Sequence, residues 1–169
     1  MRSRIEFAKA APELLKAVRP FTDYIHNCGL EPSLIDLVML RASQINGCAY
    51  CIDMHTKNAR ARGETEQRIY ELNAWRETPF YTDREMAALA WTEAVTLITD
   101  RHVPDDVYEE ARKWFTEAEI INLTAAVALI NVWNRLSISF RSVPGTYRAI
   151  RSSTTKLASD RVEEEYQLH

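Results

Sequence analysis

Glycine is scarce, with four residues in 169, and no stretch of useful length alternates apolar and polar with a period of two. Those two absences argue against sheets and barrels built on tight turns. Cysteine is also scarce: three residues are too few for a disulfide framework. Basic residues are scattered along the chain, and the formal net charge is −3 with a pI near 5.8. Nothing electrostatic therefore points to nucleic acid or an anionic membrane surface. No uninterrupted apolar run approaches the roughly 20 residues that a membrane span needs. The opening MRSRIEFAKAAPELL lacks the continuous apolar core of a secretory signal, so a cytoplasmic protein is the expectation.

What is present is helical spacing almost throughout. Leu14, Leu15, Val18, Phe21 and Ile25 fall on one face of a helix predicted from Pro12 to Cys28, with Gly29 as its left-handed stop. A second helix is expected from Ser33 to Ile45, ended by Asn46-Gly47, and a third from Cys48 to Arg62, ended by Gly63. A shorter helix is expected over Glu66–Trp75. Thr82-x-x-Glu85 and Thr116-x-x-Glu119 have the form of capping boxes, in which hydroxyl and carboxylate each satisfy a free backbone N–H. The first should open a helix carrying Ala87, Ala90, Trp91, Ala94 and Ile98 on one face. The second should open the most apolar segment, IINLTAAVALINVWNRLSISF, with a short helix over Pro104–Trp114 between them. The predicted architecture is all-α, one helical domain over residues 1–150. A polar tail or peripheral helix is expected over 151–169. So many apolar and aromatic residues on mostly short helices call for neighbours, and a homo-oligomer is expected.

The chemistry is concentrated in QINGCAYCIDMHTKNA. Cys48, Cys51 and His55 lie three and four residues apart on one helical stripe, with neighbouring Cβ atoms about 5–6 Å apart. Two thiols at that spacing can close a disulfide. The Asn-Gly turn sets them at a helix N-terminus, where free N–H groups and the dipole stabilise a thiolate. His55 is placed to take a proton from Cys51, being roughly 6 Å along the axis from it and more than about 10 Å from Cys48. Cys51 is thus the expected nucleophile and Cys48 the resolving thiol. A metal clip completed by Cys28 and His26 is an alternative, and inert packing is another. Cys28 alone reads as a buried core thiol, and Tyr50 as packing.

Asp36 comes to the level of His55 if the two helices form an antiparallel hairpin. Its carboxylate would then orient the imidazole, or else pair with Ser33 as a helix cap. Asn131, Asn134 and Arg135, polar in an apolar helix, would line a pocket or an interface, or hydrogen-bond a neighbouring helix end.

The run LRASQINGCAYCIDMHTKNARARGETEQRIYELNAWRETPFYTDREMAALAWTEAVT resembles the core of the carboxymuconolactone decarboxylase superfamily. More narrowly, it is similar to the alkylhydroperoxidase D-like branch that bears C-x-x-C-x-x-x-H, and the match spans Leu34 to Arg141. The resemblance implies an all-helical fold assembling as a trimer or hexamer, with thiol-dependent peroxidase activity and no cofactor. In that scheme Cys51 attacks the peroxide and becomes a sulfenic acid, Cys48 resolves it to a disulfide, and His55 serves the proton relay. An external dithiol, lipoyl or thioredoxin-like, would reduce the pair again. The sequence departs from the family pattern in carrying Asp36 where a glutamate is usual, and Tyr50 where the best-known members have histidine. The decarboxylase branch lacks the cysteine pair, so that activity is not implied. The competing functions are an oligomeric redox sensor or binding protein with little turnover, and a metal-binding structural protein.

Overall fold

The computed structural model describes residues 2–149, and the expected tail over 151–169 lies outside the described residues. Among the described residues ten helical elements follow one another: α1 (Phe7–Ala10), α2 (Pro12–His26), α3 (Pro32–Asn46), α4 (Ala49–Ala61), α5 (Glu66–Tyr70), the 3₁₀ turn α6 (Leu72–Glu77), α7 (Asp83–Thr96), α8 (Ile98–Arg101), α9 (Asp105–Trp114) and α10 (Glu117–Phe140). There is no strand among the described residues, so the all-α expectation holds.

Helix α3 is the axis of the fold and packs against α4, α7 and α10. Its residues from Leu34 to Leu40, with Ala42 and Ser43, are buried, so it is apolar nearly all round. One side joins the main core, where Ile35, Val38 and Ala42 meet Cys51 of α4 and Leu123, Val127 and Ile130 of α10. The other side sends Leu37 and Leu40 into a second cluster with Ile69, Leu72, Trp75 and Leu89. Burial of each such aliphatic side chain contributes about 1.5–3 kcal/mol, so α3 couples both clusters.

Both predicted capping boxes are present, at Thr82/Glu85 opening α7 and Thr116/Glu119 opening α10. Arg84 ties three helix beginnings together. It donates to Glu31 at 3.0 Å before α3 and to Glu119 at 2.7 Å in the first turn of α10.

Helix α10, 24 residues long, has the length and mean hydropathy (1.2) to cross a membrane by composition alone. That exceeds the sequence expectation, which weighed only uninterrupted apolar runs. In the fold it is a core helix, with Leu123, Ala126, Val127, Leu129 and Ile130 buried.

Two expectations shift. The segment expected as one helix over Glu66–Trp75 divides at Glu71 into α5 and the 3₁₀ turn, with Ala74 outside helical geometry (φ −116°, ψ 24°). Ile98 does not share the face of Ala87 and Trp91: α7 ends at Thr96, and Ile98, in the separate short helix α8, is 48% exposed.

Candidate functional site

The turn between α3 and α4 builds the thiol site. Gly47 adopts the left-handed conformation (φ 69°) that a glycine accepts without steric cost, and it ends α3. Cys48 follows in extended geometry as the N-cap of α4, and its sulfur accepts the backbone N–H of Cys51 at 3.3 Å. The thiol thus occupies the place a serine or aspartate oxygen usually takes, where the helix N-terminus favours negative charge. Cys48 and Cys51 form a disulfide with Cα atoms 5.3 Å apart, within the range such bonds span. The predicted pairing of the two thiols is therefore geometrically in place.

A network of amides fixes that turn. Nδ2 of Asn46 donates to Oδ1 of Asn131 at 3.0 Å and to Oδ1 of Asn134 at 2.8 Å. Asn134, fully buried, donates in turn to the Ser43 hydroxyl at 3.1 Å. Arg135 donates to Asn131 Oδ1 at 2.7 Å. Of the two roles expected for these polar residues, anchorage of a neighbouring helix end is the one the contacts of Asn131 and Asn134 show, while Arg135 bonds to Asn131 within α10.

Behind the disulfide lies a cavity with about 50 Å³ open to the centres of water molecules. Cys51 and His55 from α4, Asp36 and Met39 from α3, and His26 from α2 line it, whereas Cys48 does not. His55 is 6% exposed and its Nε2 is buried without a hydrogen-bond partner. Burial, aided by the nearby charges of His26 and Arg62, pushes its pKa down to about 3, so the ring is neutral at physiological pH.

Asp36 is buried, and both its oxygens accept from the Arg62 guanidinium, at 2.6 and 2.7 Å. The hairpin register did bring it to the cavity of His55. The cap pairing with Ser33 does not form: the N-cap of α3 is Glu31, and no side chain caps that end.

Tyr50 is 7% exposed and packs in the core beside the pair. Cys28 is half-buried against the main core. No group of three or more histidine, cysteine or acidic side chains placed to hold a metal occurs among the described residues, so the alternative of a metal clip completed by Cys28 and His26 finds no support.

Arg62, His26 and Met39 are the site residues that sequence reasoning missed as such. Arg62 had a readable signal. Side chains on a helix lean toward its N-terminus, so a long cation one turn past the level of Asp36 reaches back to it.

Residues 12–94 match the model of the carboxymuconolactone decarboxylase family. The uncharacterized protein YdfG of Bacillus subtilis is 42% identical over 139 residues, which make up 82% of this chain and 95% of that protein. A solved structure from Agrobacterium tumefaciens, of a protein of unknown function provisionally called an antioxidant defence protein AhpD, aligns with a TM-score of 0.84 at 46% identity. It covers 86% of this chain and 100% of its own. The debrominase Bmp8, solved as a cysteine-to-alanine variant with 2,3,4-tribromopyrrole, aligns with a TM-score of 0.73 at 20% identity, over 80% of this chain and 72% of that one. At that identity the likeness speaks to the fold alone.

Proposed function

The chain belongs to the AhpD-like branch of the carboxymuconolactone decarboxylase superfamily, and from that membership we propose that it is a thiol-dependent peroxidase. The observation that carries the reading is the placement of Cys51. It is disulfide-bonded to Cys48 on one side and faces, on the other, a cavity holding a neutral imidazole whose Nε2 has no hydrogen-bond partner.

In the reduced protein the Cys51 thiolate attacks one oxygen of a hydroperoxide, ROOH. The O–O bond breaks, Cys51 becomes a sulfenic acid, and ROH leaves with the proton that the thiol gave up. Cys48 then displaces hydroxide from the sulfenic sulfur, forming the Cys48–Cys51 disulfide and water. An external dithiol, lipoyl or thioredoxin-like, reduces the disulfide by exchange and leaves oxidised itself.

His55 is the proton acceptor next to Cys51, and magnitudes set how far it acts. An ordinary thiol has a pKa of about 8.5, so a ring near 3 leaves a gap of more than five units, about 7 kcal/mol, against transfer. Attraction between thiolate and imidazolium at about 4 Å returns roughly 4 kcal/mol at an effective dielectric constant near 20. The terminus of α4 adds up to ~1 kcal/mol more. Transfer from a thiol of ordinary pKa to His55 is therefore uphill by about 2 kcal/mol. Of the Asp36–Arg62 pair, the Arg62 charge is the one that acts on His55, adding to the lowering of its pKa.

The working form is a homo-oligomer, trimer or hexamer. Support comes from the exposed apolar residues Ile121, Val132 and Ile138 along α10, with Leu14 and Tyr24 on α2.

The test is peroxide consumption with dihydrolipoamide as electron donor, comparing the wild type with Cys51→Ser. Turnover by the wild type that the variant loses supports the reading. Absence of turnover in the wild type with hydrogen peroxide and organic hydroperoxides alike leaves the redox-sensor function instead.

A further inference from the structure

Two imidazoles line the cavity at Cys51, and they differ in how they meet solvent. His55 is buried, whereas His26, the last residue of α2, is exposed. Among the described residues that line the cavity, His26 alone is exposed; Met54, Asn58 and Trp133 are half-buried and the others buried. His26 is thus the lining group with the freest exchange of protons with water.

The two rings compete for one proton. Burial is the chief cause of the low His55 pKa, and the charge of a protonated His26 comes next, ahead of Arg62. A proton on His26 therefore keeps His55 neutral. His26 also has what the buried ring lacks: solvent around it, and the C-terminus of α2, whose dipole favours a cation. From α3 the one charged lining group is Asp36, both of whose oxygens Arg62 engages. Helices α1 and α10 contribute Phe7, Leu129, Trp133 and Ser137, none of which titrates near neutral pH. On its own helix, Asp23 lies three residues before it.

Cys51 must lose a proton before it attacks, and handing that proton to His55 is uphill. The same cavity offers a solvated acceptor, and its volume of about 50 Å³ is room for a few waters to carry a proton across. We propose that His26 is the general base and acid of the peroxide step: it takes the Cys51 proton, directly or through water in the cavity, and returns it to the leaving oxygen. The assignment rests on the peroxidase reading. The Cys51 thiolate attacks one oxygen of ROOH and the O–O bond breaks, its electron pair leaving on RO⁻. The imidazolium of His26 protonates that oxygen to ROH. Sulfur is oxidised by two electrons to the sulfenic acid, the peroxide is reduced, and both imidazoles end neutral.

The test is His26→Ala, a change at an exposed helix end. The rate at which hydrogen peroxide oxidises Cys51 in the reduced protein is measured in a single turnover across pH. In the wild type it should rise through an ionisation between about pH 5 and 8, where an imidazole titrates. The variant should lose that rise and be at least tenfold slower at pH 7. Millimolar imidazole should restore part of its rate and leave the wild type unaffected. A variant within twofold of wild type at pH 7 overturns the proposal. So does a slower variant that keeps the wild-type pH profile and gains nothing from imidazole, since His26 then serves only the structure.

A second measurement needs no peroxide. Iodoacetamide reacts with the thiolate, so the pH dependence of Cys51 alkylation, localised by tandem mass spectrometry, reports where that thiol ionises. The midpoint should rise by at least one pH unit in His26→Ala, because the thiolate loses the imidazolium that accepts its proton. An unmoved midpoint overturns the proposal. A protein that shows the shifted midpoint and consumes no peroxide loses the peroxidase reading and keeps His26 as the holder of the Cys51 proton.

Discussion

The guanidinium of Arg62, one residue past the end of α4, spans both carboxylate oxygens of Asp36 in the first turns of α3, at 2.6 and 2.7 Å. The Asp36 side chain is 5% exposed and that of Arg62 is 40% exposed, so the pair sits at the edge of the interior with its acid inside. It clasps the far end of the hairpin whose near end is the Asn46-Gly47 turn.

Removing the cation takes from the buried Asp36 carboxylate the ion pair that both its oxygens make. Arg62→Ala should destabilise the fold by about 2–3 kcal/mol, less than a fully buried pair would because the arginine is partly solvated. Urea unfolding at pH 7 measures it. A loss smaller than that of Asp36→Asn would show that Arg62 is not the group holding the charge.

His55 ties stability to acid. Its folded pKa of about 3 lies below the unfolded value of 6.5, so between those limits the unfolded chain binds a proton that the folded chain does not. Stability contributed by the neutral buried ring is full above pH 6.5 and drains as pH falls toward 3, at about 1.4 kcal/mol per unit. By pH 5 the wild type should have lost about 2 kcal/mol more than His55→Asn, relative to each at pH 7. Unfolding curves at the two pH values decide it, and equal losses would place the proton elsewhere.

Cys51 faces the cavity and Cys48 caps the helix, which separates their chemistry. Cys48→Ser should still give a sulfenic acid on Cys51, trapped by dimedone, and should not turn over. Cys51→Ser should give no adduct. An adduct on Cys48 in Cys51→Ser, formed at the wild-type rate, would reverse the roles.

The buried amide of Asn134 serves both Asn46 and Ser43. Asn134→Leu should cost about 1–3 kcal/mol, since it leaves both partners short of a hydrogen bond inside the core. It should also speed reduction of the Cys48–Cys51 bond by dithiothreitol several-fold, because the turn that sets Cys48 is loosened. A stability loss with an unchanged reduction rate would confine the network to the fold.

Light scattering at micromolar concentration should report a trimer or hexamer. A monomer would mean that Ile121, Val132 and Ile138 stay exposed, contrary to the proposed assembly.

Most helices could be read from the chain because their signals are local. The capping boxes at Thr82 and Thr116, the glycine stop at Gly47 and the 3.6-residue spacing each need only neighbours in sequence. The same locality explains the errors. Leu14 has the right spacing for the buried face of α2 but is 37% exposed, because periodicity says nothing of where along a helix the partner begins. The thiol pair was legible because all its parts lie in one turn. The environment of His55 was less so: it depends on His26 from α2 and Arg62 from the far end of α4, which only tertiary packing brings near. Phe7 was outside reach for the same reason, being carried to the site by a four-residue helix tied to the end of α10.

The Asn46-Gly47 step has a consequence for how the molecule ages. Asparagine followed by glycine is the pair most prone to deamidation, because an unhindered glycine nitrogen can attack the side-chain amide. Here the Gly47 N–H is engaged with the Gln44 carbonyl at 3.2 Å, and the Asn46 amide is held by Asn131 and Asn134. Folding therefore shields the bond from its own chemistry, and time spent unfolded does not. Once the conversion Asn46→Asp has happened, an acceptor faces the two carbonyl oxygens that the amide used to donate to. The turn that presents Cys48 would then carry a permanent record of every excursion from the native state.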